Sequence, residues 1–599
     1  MLRYGKRTER TALRKRVRVL IALSLCWTGS MGYKLFSLQF LRSEQLQTSA
    51  RAQQQQVITL DARRGLLYDR NGRELARSIE VDSLYGVPAQ IEDPARTAAA
   101  LAPALGIDRA AIPALAEKLT GDKLFVWARR KISPKTRSDI EALSITGIGF
   151  VKEHKRFYPH GRLAAHVLGW VGMDNKGMDG IELALDERLG GTNGQFFALR
   201  DARRALFLKE TRREPTPGNS VVLSIDQTIQ HFAERELSRA IAETGSRAGS
   251  VIVMHPDTGD VLAMASEPTY SPNTASLFPE ESRKNRAVVD AYEPGSTFKL
   301  ITIAAALERG LVDPSELFDC QNGSIRVGRS LIRDHKRFGI LTASQILERS
   351  SNVGAIKIGL RLNPFDFHAT IDHFGFGRKT GIALPGEARG LVREPGSWSG
   401  LSQASLSFGQ EMALTPVQLV TAVNAVATGG LLRPPRLVLR EVAPDGSIVS
   451  ETLPGPERRV ADESTMRTLT RMMTGVIEEG TATSAQIPGY SIAGKTGTAQ
   501  KIGEDGRYSQ DRFVASFVGF VPASRPALTI LVVLDEPRGR LYHGGDIAAP
   551  VFQRIAMPSL RYLNVPPEND SIGLPEQGDE GMTLKASERT RLWSAPVDS

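Results

Sequence analysis

Ser296 and Lys299 carry a hydroxyl and an amine three residues apart, in the stretch Tyr292-Glu-Pro-Gly-Ser296-Thr-Phe-Lys299. Behind them Phe298, Ile301, Ala305 and Leu307 leave an apolar stripe and Gly310 reads as a stop, which predicts a helix of about four turns beginning near Ser296. Three residues turn a helix through about 300°, so the amine stands on nearly the same face as the hydroxyl. A serine hydroxyl is a poor nucleophile until a base takes its proton, and the N–H groups of a first helical turn favour the anion that develops. The pair is therefore a candidate for attack on a carbonyl. A capped surface helix with a solvated lysine fits the same residues, so the rest of the chain has to decide.

At 599 residues the chain is too long for one hydrophobic core, and two to four domains are expected. With 41% hydrophobic and 24% charged residues it has ordinary globular composition. The net charge of +10 is no nucleic-acid signal, because the excess is local: residues 1–18 hold Arg3, Lys6, Arg7, Arg10, Arg14, Lys15, Arg16 and Arg18 against Glu9 alone. That tail precedes an apolar run at 19–41, long enough to cross a bilayer as a helix, with Lys34 able to snorkel near its outer end. A cleaved signal peptide is the alternative; the apolar continuation through Leu35, Phe36, Leu38 and Leu41, in place of a small-residue cleavage site, speaks for a retained anchor. Its basic side stays in the cytoplasm, so everything after about residue 40 lies outside the membrane. Cys26 and Cys320 are the only cysteines, one in the span, so no disulfide framework is expected.

Further along, residues 42–56 read as a polar stalk, and Asn71-Gly72 as a hairpin turn between two short strands. Asp93-Pro94 opens an Ala-rich helix that Gly106 ends, and a second helix follows Asp108. His154, His160 and His166 lack thiols or carboxylates at ligand spacing, so no metal is expected. Glu214-Pro-Thr-Pro-Gly218 reads as a domain boundary. Beyond it a strand at 221–225, a long helix capped by Asp226, an apolar hairpin at 250–265 and strands at 513–520 and 528–534 predict a sheet covered by helices. The tail from about Pro566 reads as loosely held.

Two more motifs settle what Ser296 is for. Ser350-Ser351-Asn352 lies 54 residues beyond it and Lys495-Thr496-Gly497-Thr498 lies 199 residues beyond. With Ser296-Thr-Phe-Lys299 these resemble the three ordered motifs of penicillin-recognising serine transpeptidases and β-lactamases. The resemblance implies an α+β fold, a five-stranded antiparallel sheet flanked by helices, with Lys495 on an edge strand. It implies Ser296 as acyl-ester nucleophile, Lys299 as general base with a pKa lowered by burial and neighbouring cations, and Ser350 as proton relay. Asn352 would hold Lys299 and a substrate carbonyl, and Lys495 would supply the positive charge that keeps Lys299 neutral and draws in a carboxylate. Thr496 and Thr498 would bind that carboxylate, Gly497 would let substrate backbone lie against the strand, and the backbone N–H groups of Ser296 and Thr498 would form the oxyanion hole.

The pattern Arg64-Gly65, Asp69-Arg70 and Gly72, with Gly177, Gly180, Ile181 and Glu182, is similar to the N-terminal pedestal of class B penicillin-binding proteins. Phe408-Gly-Gln410, Thr415-Pro-Val-Gln418 and the block from Tyr542 to Phe552 are similar to further segments of that class. Tyr292-Glu293-Pro294-Gly295 and Ser351-Asn352-Val353-Gly354 resemble its septal members. The expected organisation is a basic cytoplasmic tail at 1–18, a transmembrane helix at 19–41, a pedestal at 42–213, a transpeptidase domain at 220–563 and a loose tail at 564–599. The expected function is a D,D-transpeptidase of the inner membrane at the division septum, which cross-links peptidoglycan stem peptides with release of D-Ala, uses no cofactor, and is blocked by β-lactams. No glycosyltransferase domain precedes the pedestal, so the lipid-linked precursor would be polymerised by a multispanning membrane partner, among other division proteins. The alternatives are an elongation-specific enzyme of the same class, a β-lactamase or β-lactam sensor, and a non-enzymatic scaffold. A lactamase must activate water, and the sequence offers no clear extra general base near Ser350.

Overall fold

The computed structural model describes residues 5–43, 55–123, 125–200, 206–503 and 505–568. Most of the stalk expected at 42–56 and the chain beyond 568 therefore lie outside the described residues. Helix α1 (Gly5–Phe36) runs on through a short π-helical turn, and 13–41 is the one stretch among the described residues long and apolar enough to cross a membrane. None of it is buried against the rest of the protein.

The pedestal follows. Strand β1 (Gln55–Leu60) precedes β2 (Leu67–Tyr68), and the Asn71-Gly72 turn, with Gly72 at φ 82°, leads into β3 (Glu74–Gly86). β3 is longer than the sequence suggested, because later strands pair along both of its edges. Helix α2 (Pro94–Leu105) starts where Asp93 accepts the Arg96 N–H and ends at Gly106 in the left-handed region. With α3 (Ile112–Lys118), β4 (Val126–Ile132) and β5 (Ile148–Phe157) it closes a small core of its own around Leu84, Leu101 and Leu119. β6 (Gly194–Arg200) joins β1 to β7 (Leu206–Arg213) in a separate three-stranded sheet.

A buried ionic cluster organises the pedestal. The Arg64 and Arg156 guanidiniums each donate to Glu182 at 2.6 Å, one to either carboxylate oxygen; Arg64 also reaches Asp186 at 2.5 Å, and Arg156 the Gly65 carbonyl at 2.6 Å. Glu182 is completely buried. Arg64 and Arg156 thus come together on Glu182, with Gly65 and Gly177 bonded into the same cluster through the Arg156 and Asp186 side chains.

Residues 214–219, expected as a boundary, are no free linker: Gly218 donates to the Arg63 carbonyl, and Thr192 and Thr216 exchange backbone hydrogen bonds. Strand β8 (Ser220–Leu223) then pairs in parallel with β2. Helix α4 (Gln227–Thr244), capped by the Asp226 carboxylate, covers the hairpin of β9 (Ala248–Met254) and β10 (Val261–Glu267), whose side chains are buried on both faces. After the Ser296 turn come α5 (Lys299–Glu308), α6 (Asn352–Gly359) and α7 (Pro416–Ala427), the last opened by a Thr415/Gln418 capping box. β11 (Val438–Val442) and β12 (Ile448–Glu451) reach back to β8, so one seven-stranded sheet, β12–β11–β8–β2–β3–β4 with β5 also on β3, carries strands from both sides of the expected boundary. Finally α8 (Glu463–Glu478), β13 (Ala493–Ile502), β14 (Tyr508–Val521), β15 (Leu528–Asp535) and α9 (Ala549–Tyr562) complete the chain.

The central sheet has the order β10–β9–β15–β14–β13, antiparallel throughout, with β13 on the edge as expected for Lys495. The first residues of the expected loose tail are in fact tied down: Tyr490 donates to the Val565 carbonyl, and the Glu568 carboxylate accepts the Ser491 N–H and the Ser524 hydroxyl.

Candidate active site

Residues Gly295–Phe298 form one 3₁₀ turn that runs into α5, so the predicted helix exists with a tighter start. Gly295 sits at φ 54°, and a Cβ there would lie 3.2 Å from the Thr498 carbonyl; its N–H donates to the Gly409 carbonyl. Gly409 in turn has no room for a side chain, since a Cβ would come within 2.2 Å of the Gly295 carbonyl. The turn is thus held between strand β13 and the 408–410 segment, with Ser296 left half-exposed.

Gly497 has a packing reason of its own. A Cβ at this position would meet Ser516 Oγ at 2.3 Å, Thr297 at 3.0 Å and the Pro294 carbonyl at 3.1 Å. The missing side chain makes room for the nucleophile's own turn.

Lys299 and Lys495 are both fully buried and meet at Ser350. The Lys299 amine donates to the Ser350 carbonyl at 2.6 Å, to Asn352 Oδ1 at 2.8 Å and to Ser350 Oγ at 3.3 Å. The Lys495 amine donates to the same Ser350 Oγ at 3.0 Å and to Thr496 Oγ1 at 3.3 Å. The expected approach of the Lys299 amine to the Ser296 hydroxyl is not a hydrogen bond here, because Ser350 and Asn352 hold that amine. Ser350 itself adopts φ 61°, a left-handed conformation that a serine takes at a cost. It ends the helix Ala343–Glu348, where the Ser350 and Ser351 N–H groups donate to the Leu347 and Ile346 carbonyls; the Asp334 carboxylate then accepts the Ser351 hydroxyl at 2.7 Å and the N–H groups of Asn352 and Val353, pinning the start of α6.

Burial pushes the Lys299 amine down to about 7, opposed by the Asp334 charge. Burial, and then the Lys299 charge, hold Lys495 well below the ordinary lysine range. Loss of water is thus the first cause at both amines, and at Lys495 the Lys299 charge adds to it.

These groups open on a cleft of about 490 Å³ lined by Ser296, Ser350, Asn352, Thr496 and Thr498. Thr496 shares a hydrogen bond of 2.9 Å with the Thr481 hydroxyl, and the Thr498 hydroxyl accepts the Gly544 N–H at 3.2 Å. Of the predicted residues, Ser350, Asn352, Lys299, Lys495 and Thr496 form one connected polar network, while Ser296 and Thr498 face the same cleft. Sequence reading missed Asp334, Thr481 and the stacked pair Phe513 and Tyr542, whose rings are 4.4 Å apart at the cleft wall. No spacing rule links them to the motifs. Among the described residues no group of three or more His, Cys, Asp or Glu side chains is arranged to hold a metal ion.

Comparison with known proteins adds an independent line. The model of the penicillin binding protein transpeptidase domain matches residues 249–557, and that of the penicillin-binding protein dimerisation domain matches residues 59–223. The chain is 35% identical over 558 residues to a probable peptidoglycan D,D-transpeptidase PenA of Neisseria meningitidis, covering 92% of this chain and 93% of the relative. It is 33% identical over 563 residues to the peptidoglycan D,D-transpeptidase FtsI of Escherichia coli, covering 93% and 92%. The crystal structure of penicillin binding protein 3 from Mycobacterium tuberculosis complexed with ampicillin superposes with a TM-score of 0.69 at 30% identity, covering 86% of this chain and 98% of that one.

Proposed function

The chain belongs to the class B penicillin-binding proteins of the division type, serine peptidoglycan D,D-transpeptidases with one candidate membrane-spanning helix, and from that premise we propose how its residues divide the work. Ser296 Oγ attacks the carbonyl of the terminal D-Ala-D-Ala bond of a stem peptide, and neutral Lys299 takes its proton. The Ser296 and Thr498 N–H groups hold the oxyanion, as the sequence resemblance implied. Ser350 relays the proton to the departing nitrogen, D-Ala leaves, and the acyl group stays as an ester on Ser296. An amine of a neighbouring stem then attacks that ester, the proton returns to Ser296 Oγ by the same route, and the cross-link is complete. Lys495, Thr496 and Thr498 bind the terminal carboxylate, whose charge restores the Lys495 proton that burial opposes. Asn352 keeps Lys299 in place with one amide atom and offers an N–H to the substrate with the other.

The observation that carries this reading is the placement of Ser350 Oγ between two buried amines, 3.3 Å from one and 3.0 Å from the other. Fluorescent penicillin should label the protein covalently and leave Ser296→Ala unlabelled; equal labelling of both would refute the assignment.

The same reading extends to topology and partners. Residues 1–18 lie in the cytoplasm, 19–41 span the inner membrane, and the pedestal and transpeptidase domains, 42–213 and 220–563, work outside it at the septum. The span and pedestal meet a multispanning glycan polymerase and other division proteins, and β-lactams acylate Ser296 in place of substrate. Depletion should give filaments with unconstricted septa, whereas rounded cells would point to elongation.

A further inference from the structure

The residue before Pro294 is not used by the chemistry above, yet it reaches further than its neighbours. The main chain of Tyr292 is stapled to Leu414 by two hydrogen bonds of 3.0 and 2.9 Å, and Gly295 is stapled to Gly409. Between them the Glu293 side chain reaches Glu411 and Tyr508. Its Oε1 accepts the Glu411 N–H at 2.9 Å and the Tyr508 hydroxyl at 3.1 Å. Tyr508 is the first residue of β14 and pairs with Ile502, the last of β13, at the far end of the hairpin whose other end carries Lys495. Glu411 sits at φ 60° and is itself clamped by Arg393 at 2.6 Å and Ser402 at 2.7 Å, so the donor on that side is fixed. Three segments distant in sequence thus meet on one carboxylate oxygen.

We propose that Glu293 is a positioning residue: by tying the end of the β13–β14 hairpin to the turn that carries Ser296, it sets the separation of the two cleft walls for acylation. This rests on the reading of Ser296 as nucleophile. The alternative, that Glu293 only fills space, leaves its geometry unexplained, since a buried carboxylate is costly and an apolar side chain would fill the same volume. The second oxygen, Oε2, is buried without a hydrogen-bond partner, and burial first, then the Glu411 charge, moves the group up to about 7 while its two hydrogen bonds oppose the rise. Glutamine therefore reproduces the protonated form and keeps Oε1 as the shared acceptor, whereas alanine removes the tie. Phenylalanine at 508 cuts only the hairpin's half of it.

The test is the rate constant of Ser296 acylation by a fluorescent penicillin, measured on the full-length protein with the non-covalent dissociation constant and melting temperature of each variant. Glu293→Ala and Tyr508→Phe should each slow acylation about tenfold, less than the 10²-fold that a misplacement of ~1 Å costs. The double variant should be no slower than the single ones, Glu293→Gln should stay within about twofold of the parent, and the dissociation constant should not move. Additive effects, an unchanged rate in Tyr508→Phe, or Glu293→Gln as slow as Glu293→Ala would each overturn the proposal. Should Glu293→Ala fold poorly, Tyr508→Phe and Glu293→Gln alone decide. Loss of the nucleophile abolishes labelling, whereas loss of positioning slows it, so the two readings fail in different ways.

Discussion

Two clusters of buried charge stand in this molecule, one in the pedestal and one in the cleft, and they are built on opposite rules. Around Glu182, two guanidiniums face two carboxylates at 2.5 to 2.6 Å, and the Tyr158 hydroxyl adds a donor at 3.3 Å. Each ion has its counter-ion. Around Ser350, two amines are buried with only neutral oxygens in hydrogen-bonding contact, because the nearby Asp334 carboxylate is spent on the α6 N-terminus. Compensated charge stays charged and holds structure. Uncompensated charge gives up its proton, and a neutral lysine is a base.

The comparison is broken most severely by removing the base. Lys299→Met keeps the volume and deletes a buried amine, so acylation should fall by about 10²- to 10⁴-fold while the melting temperature holds or rises. Stopped-flow penicillin binding and a thermal melt check both halves, and a large loss of stability would mean that the cleft lysine is structural like the pedestal arginines. Next comes Glu182→Gln, which strips buried Arg156 of its counter-ion and Arg64 of one of its two, and should cost about 3–5 kcal/mol. The expected readout is a lower urea midpoint with the acylation rate of the folded fraction unchanged.

The smallest effect is also the most diagnostic. With Lys299 held to about 7, the neutral amine is lost as pH falls through that value, so acylation should rise with pH and reach half its plateau near pH 7. The pKa is lowered relative to the unfolded chain, where the ordinary value is 10.5, so the unfolded chain holds more protons between about 7 and 10.5 and stability should rise with pH across that window. Lys495→Met should leave the midpoint of the acylation profile in place, because burial, opposed by the Asp334 charge, sets the Lys299 proton; a midpoint that moved up would show that a charged Lys495 repels it.

Much of this was legible before any coordinates. Ser296 and Lys299, Ser350 and Asn352, and Lys495 to Thr498 announce themselves because each motif is local, with spacing fixed by one helical turn or one strand. The caps at Asp93 and Asp226 and the apolar runs of the central strands are local too, and they place the elements. What escaped is what only topology brings together. Asp334 reaches the start of α6 across 17 to 19 residues of intervening chain, Thr481 meets Thr496 from another element, and Glu293 touches Tyr508 over 215 positions. The pairing of β8 with β2 across the pedestal boundary is of the same kind, since Pro and Gly at 215–218 mark a turn whether or not a sheet closes over it. Gly497 was read for the approach of a substrate backbone, and what the sequence did not reveal is that Thr297 and Ser516 also leave its side chain no room.

The seven-stranded sheet has a mechanical side. β8 is bonded in parallel to β2 and antiparallel to β11, so strands on either side of residues 214–219 share backbone hydrogen bonds. A pull along those strands, between a bilayer-held N-terminus and a domain engaged on the cell wall, loads the bonds together in shear instead of unzipping them one by one. The two parts would then carry tension together rather than lose it in a slack joint.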